Sequence, residues 1–126
     1  MSKKILIADD EPNIVAALEF LLQQSGYQVL IAQNGEEALR LIEACVPDLV
    51  LLDVMMPRKS GYEVCQRMRE HADWRQIKVV MLSAKGRDAE VSRGLALGAD
   101  LYVTKPFSTR ELMTKIKGLL EPISAP

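Results

Sequence analysis

Four short apolar runs each stop at residues able to do chemistry. Ile5 to Ala8 leads into Asp9-Asp10-Glu11, Leu49 to Leu52 into Asp53, Val79 to Leu82 into Ser83, and Leu101 to Val103 into Thr104-Lys105-Pro106. Carboxylates brought together repel, and raise one another's pKa unless a cation intervenes. Every candidate ligand is an oxygen, with no His or Cys nearby, which suits a hard ion. Mg²⁺ characteristically takes one or two carboxylates together with water and a substrate phosphate. Lys105 and the Ser83 hydroxyl supply partners for the other oxygens of a phosphoryl group. With the anion's charge divided between metal and lysine, Asp53 can attack as a nucleophile and form an acyl phosphate beside an ion held largely by Asp9 and Asp10.

Each of these residues alone has an ordinary explanation. Asp9-Asp10 is also the acidic pair that a helix dipole favours at an N-terminus. Asp53 is a common type of turn residue before Met55-Met56-Pro57. A lone Lys105 is usually a solvated lysine whose stem lies on apolar surface. Only their joint arrival at one edge of a fold points to chemistry, so the elements carrying them matter.

The chain alternates apolar runs with amphipathic stretches five times; the fifth run is Val29 to Ala32. The runs are continuously apolar rather than alternating, as expected of strands covered on both faces. Helical stripes fall on Ile14, Val15, Leu18, Leu21 and Leu22, on Ala38, Leu39, Ile42, Cys45 and Val46, and on Leu112, Met113, Ile116, Leu119 and Leu120. Asn34 with Glu37, Ser60 with Glu63, and Ser108 with Glu111 resemble capping boxes. Pro12 suits a first helical turn, and Gly26 and Gly98 suit positions just past helix ends. Such alternation implies right-handed crossovers and a parallel sheet between helical layers, with ligands beyond the strands' carboxyl ends. The stretch Arg87 to Leu97 has the most ragged apolar stripe and is expected to open or shift at the least cost.

Composition narrows the function classes. At 126 residues the chain fits one domain with an adequate core. A net charge of −1 and scattered Lys and Arg give no footprint for nucleic acid or anionic lipid. Cys45 and Cys65 fall on apolar helix positions and are expected to be buried free thiols. His71 is expected to be a solvated surface residue. No signal peptide or membrane span fits the start, so a cytoplasmic location is expected.

The whole chain resembles a receiver domain of the two-component response-regulator family over residues 3 to 120. The motifs that carry the resemblance are Ile5-Leu6-Ile7-Ala8-Asp9-Asp10-Glu11; Leu51-Leu52-Asp53-Val54-Met55-Met56-Pro57 with Gly61; Met81-Leu82-Ser83-Ala84; Gly98-Ala99-Asp100; and Tyr102-Val103-Thr104-Lys105-Pro106-Phe107. The resemblance implies a flavodoxin-like α/β three-layer sandwich with strand order 2-1-3-4-5 and five helices. Asp53 would be the phosphoacceptor, charged by a sensor histidine kinase or phosphotransfer protein. Asp9, Asp10, Asp53 and the main-chain carbonyl of Met55 would hold Mg²⁺. Lys105 would pair with Asp53 and then with the phosphoryl group, Ser83 would hydrogen-bond a phosphoryl oxygen, and Tyr102 would swing inward behind it. The Lys105-Pro106 bond would be cis. Helix 4, strand 5 and helix 5 would form the surface read by an output domain, a partner or a second copy. The chain would then be a signalling switch that catalyses its own phosphorylation and dephosphorylation rather than a conventional enzyme. Residues 1 to 121 would form the receiver, and 122 to 126 a tail or the start of a linker.

Two positions that influence hydrolysis in such sites are Met55 and Lys85. Neither side chain can orient an attacking water as an amide or carboxylate would, so a long-lived phosphorylated state is expected. A receiver-like module working without phosphorylation would lack an acid, the hydroxyl or the lysine, and none is missing. A nucleotide- or flavin-binding domain needs a Gly- or Ser/Thr-rich loop where Asp9-Asp10-Glu11 would repel phosphate. An aspartyl-phosphate hydrolase would place its nucleophile after strand 1 in an Asp-x-Asp arrangement, unlike Asp53-Val54-Met55.

Overall fold

Alternating side chains explain why the strand sequences are apolar throughout. Along β1 (Lys4–Ala8), Leu6 and Ala8 face one side while Ile5 and Ile7 face the other, and all four are fully buried. The computed structural model describes residues 3–84 and 86–121, and the expected tail at 122–126 and Lys85 lie outside these. The elements that follow are α1 (Pro12–Gln24), β2 (Gln28–Ala32), α2 (Gly35–Cys45), β3 (Leu49–Asp53), α3 (Gly61–Glu70), a 3-10 turn (Ala72–Trp74), β4 (Lys78–Ser83), α4 (Asp88–Ala96), β5 (Leu101–Thr104) and α5 (Thr109–Leu120). The five strands pair in parallel in the order β2-β1-β3-β4-β5.

One core layer joins Leu6, Val50, Leu52, Val79 and Met81 to Ala38 and Ile42 of α2 and to Val64, Cys65 and Met68 of α3. The other joins Ile5, Ile7, Leu49, Leu51, Val80 and Leu82 to Leu18 and Leu22 of α1 and Leu112 and Ile116 of α5. The three central strands are therefore covered on both faces. The outer two are not: β2 begins at exposed Gln28 and β5 ends at exposed Thr104, with half-buried residues between. A strand at a sheet edge has a neighbour on one side only, and the helices above it cover it incompletely.

Helix starts follow local chemistry. The side chains of Asn34, Ser60 and Ser108 each accept a hydrogen bond from the backbone N–H three residues on. At Ser60 the reciprocal bond to Glu63 closes a full capping box. Pro12 opens α1, and Gly26 and Gly98 adopt positive φ just past helix ends. One stripe position departs from expectation. Val46 lies outside α2, largely exposed, with φ of 43° in the left-handed region. The following Pro47 disfavours a helical conformation for the residue before it, so the helix stops at Cys45. Cys45 is accordingly half-buried rather than buried, whereas Cys65 is buried; both are free. His71 is exposed, and its ring stacks on Trp74 at 3.9 Å.

Helix α4 is the least anchored, since Gly94 is its one buried residue. No described helix is long and apolar enough to cross a membrane.

Candidate functional site

Register puts the acids together. Ala8 pairs with Leu52, so Asp9, the next residue of β1's chain, is level with Asp53 at the end of β3. Ser83 ends β4 opposite Thr104, and Lys105 follows. The Lys105 N–H donates to the Ser83 carbonyl at 2.7 Å, which keeps the two strand ends aligned. The Lys105–Pro106 peptide bond is cis.

Asp9 and Asp53 are 1% and 4% exposed, which leaves little water to screen them, while Asp10 is exposed. Oxygens of these three carboxylates all lie within 4.8 Å of one another. Backbone donors hold two of them in place: Glu11 N–H reaches Asp9 Oδ1 at 2.9 Å, and Met55 N–H reaches Asp53 Oδ1 at 3.1 Å. Burial, and then the charge of Asp9, push the Asp53 pKa from 3.8 up to about 6, against the Met55 N–H and Lys105, which favour its ionised form. Gly61 allows this loop to close, because a Cβ there would run into the Asp53 carbonyl and the Val54 Cα. An open cleft lined by Asp9, Asp10, Pro12 and Gln33 gives access from the α1 side.

The donor chemistry fits a hard divalent cation. The set is all oxygen, two of its members are buried, and the charge on Asp53 is incompletely compensated without a cation. Lys105 supplies part of that compensation. Its Nζ lies 2.7 Å from Glu11 Oε1, 3.1 Å from Asp9 Oδ2 and 3.5 Å from Asp53 Oδ2. Burial alone would lower its pKa, but the hydrogen bonds to Glu11 and Asp9 and the charges of Asp9 and Asp53 outweigh burial and raise it.

Ser83 is fully buried at the strand end, and Tyr102 is half-buried in β5, opposite Met81. The Tyr102 ring packs where α4 has no side chain; a Cβ on Gly94 would stand 2.8 Å from both a Tyr102 ring carbon and the Met81 sulfur. Behind it lies Tyr62, the second residue of α3, hydrogen-bonded to Tyr102. The Tyr62 hydroxyl also donates to the Glu90 carbonyl at 3.2 Å, and the Arg93 guanidinium sits 4.2 Å from its ring centroid. Burial, and then Tyr102, push its phenol up to about 12.

Asp9, Asp10, Asp53, Ser83 and Lys105 thus come together at the carboxyl ends of the strands, with Tyr102 three residues before Lys105 on β5. Sequence reasoning gave no role to Glu11, taken as one more acid of the strand-end run, or to Tyr62. For Tyr62 no signal was available, since an aromatic in a first helical turn is ordinarily packing.

The family of the chain follows from comparison with known proteins. The family model described as response regulator receiver domain matches residues 5–117. The alkaline phosphatase synthesis transcriptional regulatory protein PhoP of Bacillus subtilis (strain 168) is 46% identical over 128 residues, covering 100% of this chain and 52% of that protein. The chain spans about half the length of the curated relatives it matches. A structure from Chloroflexus aurantiacus J-10-fl described as a response regulator superposes with a TM-score of 0.90 at 36% identity, covering 95% of this chain and 98% of that one. The BeF3-activated DrrB receiver domain gives 0.87 at 36%, covering 96% and 99%. The chain belongs to the response regulator receiver domain family, the signalling-switch module of two-component systems.

Proposed function

We propose that Asp53 is a phosphoacceptor that works with Mg²⁺, taking its phosphoryl group from a histidine of a sensor kinase or phosphotransfer protein. The observation that carries this reading is the buried Asp53 carboxylate, with Asp9 and Asp10 oxygens within 4.8 Å and the Lys105 ammonium at 3.5 Å. Asp9, Asp10, Asp53 and the Met55 main-chain carbonyl would hold the ion. Bound there, it supplies the positive charge that offsets the three carboxylates and the phosphoryl oxygens.

The residues of the chain do the rest. The Met55 N–H holds one Asp53 oxygen, which leaves the other to attack phosphorus. The new bond is P–O, the bond broken is P–N, and the departing imidazole nitrogen keeps the electron pair and takes a proton. Lys105 then pairs with a phosphoryl oxygen, and the Ser83 hydroxyl hydrogen-bonds another. Movement of Ser83 draws Tyr102 inward, which alters the face formed by α4, β5 and α5. Hydrolysis reverses the state when water attacks phosphorus and Asp53 leaves as a carboxylate.

This is a switch in which the chain supplies its own catalysis. Residues 1–121 would be the receiver unit, and the α4–β5–α5 face its contact with an output domain, a partner or a second copy. PhoP is described as a transcriptional regulatory protein; by that likeness the output would act on transcription through a part outside this segment, whose net charge of −1 gives no surface for DNA. Incubation with acetyl phosphate and Mg²⁺, followed by intact-mass measurement, tests the reading. One phosphoryl adduct is expected on the wild-type chain and none on Asp53→Asn or in chelator. An adduct that persists in Asp53→Asn would refute it.

A further inference from the structure

Lys105 keeps its shortest contact for an acid outside the buried cluster. Glu11 Oε1 stands 2.7 Å from Nζ, a short charge-assisted hydrogen bond, whereas the 3.5 Å to Asp53 is attraction without a short bond. Glu11 is the N-cap residue of α1, yet its side chain makes no cap bond to the helix, and its own N–H is committed to Asp9. The Glu11 side chain is 56% exposed and the lysine's 11%, so the carboxylate reaches in from solvent to a nearly enclosed ammonium. Of the lysine's three carboxylate contacts, the one to Glu11 is therefore the shortest and the one to Asp53 the longest.

We infer that Glu11 is a positioning residue that holds Lys105 in the unphosphorylated chain and competes with the phosphoryl group for it. The inference rests on the reading of Asp53 as phosphoacceptor and Lys105 as its partner. A phosphoryl group on Asp53 needs a short contact to the ammonium, and the lysine meets that need by giving up Glu11. Release is cheap on the acid's side, because water replaces the lost partner of an exposed carboxylate. Glu11 thus biases the lysine toward its resting position without touching the reacting atoms. The bond needs the full reach of glutamate as well as its charge. Glu11→Gln removes the charge, and Glu11→Asp keeps the charge but shortens the arm by one methylene.

The test uses the whole chain and beryllofluoride as the phosphoryl mimic. Calorimetric titration would measure Mg²⁺ alone and beryllofluoride at saturating Mg²⁺, and ¹⁵N spectra would follow the Lys105 ammonium. In the wild type a slowly exchanging ammonium resonance is expected before beryllofluoride is added; both variants should lose it. Both should bind beryllofluoride roughly two- to fivefold more tightly, the range open to an ion pair exposed on one side. Glu11→Asp should bind Mg²⁺ alone as the wild type does. Tighter binding in Glu11→Gln with Glu11→Asp unchanged would mean that charge acts through space, and overturns the tether. Weaker Mg²⁺ binding in both variants would make Glu11 an acid that serves the cation, and also overturns it. A wild-type chain that takes up no beryllofluoride overturns the phosphoacceptor reading itself. Normal uptake with both variants unchanged overturns the role of Glu11 alone.

Discussion

Asp53 carries a cost that the fold accepts for the sake of the site. Its folded pKa is about 6 against an ordinary 3.8, because burial and Asp9 both oppose ionisation. Below the lower value the carboxyl is protonated folded or unfolded. As pH rises through the higher value, only the folded chain is still releasing that proton, so in chelator stability falls over this window and stays lower above it. A shift of this size is worth about 3 kcal/mol. Asp53→Asn in chelator should therefore gain about that much stability at pH 7 and nothing near pH 3, read from urea midpoints across pH. Met55, the exposed neighbour that lends its N–H to Asp53, belongs to the same scale. Its thioether side chain cannot orient a water, and Met55→Asn should shorten the lifetime of the phosphorylated chain severalfold, followed by loss of radiolabel. The acids were identifiable from sequence because they close apolar runs, whereas Met55 was marked only by the resemblance to the receiver family. Glu11 was visible too, but its partner was not: a contact 94 positions away leaves no mark in local composition.

Among the elements, α4 stands apart. Its only buried residue is a glycine, so little apolar surface holds it to the sheet. Tyr62 supplies what the helix lacks: a hydrogen bond to the Glu90 carbonyl, a ring beneath Arg93 and a bond to Tyr102. Because α3 begins beside the Asp53 carbonyl at Gly61, this tyrosine also links the acid-bearing loop to the helix. Tyr62→Phe keeps the ring and removes the hydroxyl, a loss of about 1 kcal/mol. Amide hydrogen exchange should accelerate roughly fivefold across Val91 to Leu95 while α3 stays protected; uniform acceleration through both helices would count against a local tie. The ragged stripe in the sequence already marked α4 as weakly anchored. The compensating tyrosine was hidden because its usefulness depends on how two helices and a strand meet.

For the molecule as a whole, the proposed cation site would convert cation binding into stability. A ligand that binds only the folded chain at a hundred times its dissociation constant adds about 2.7 kcal/mol. Mg²⁺ should raise the melting temperature of the wild type, chelation should reverse it, and Asp53→Asn should show a smaller rise, all by scanning calorimetry. No local unit can respond in this way, since β1 and β3 present the acids only when paired in register.

Alternation of apolar runs and helical stripes, with Asn, Ser, Pro and Gly at the boundaries, was enough to specify the elements and the direction of the sheet. Each of those signals acts within a few residues along the chain, through backbone hydrogen bonding and the burial of one face. Tertiary structure decided that Lys105 lies closest to Glu11, that Tyr62 braces α4 and that the edge strands stay half open. Such outcomes turn on distances of a few ångströms between side chains from different elements, which register and packing determine and linear order does not record.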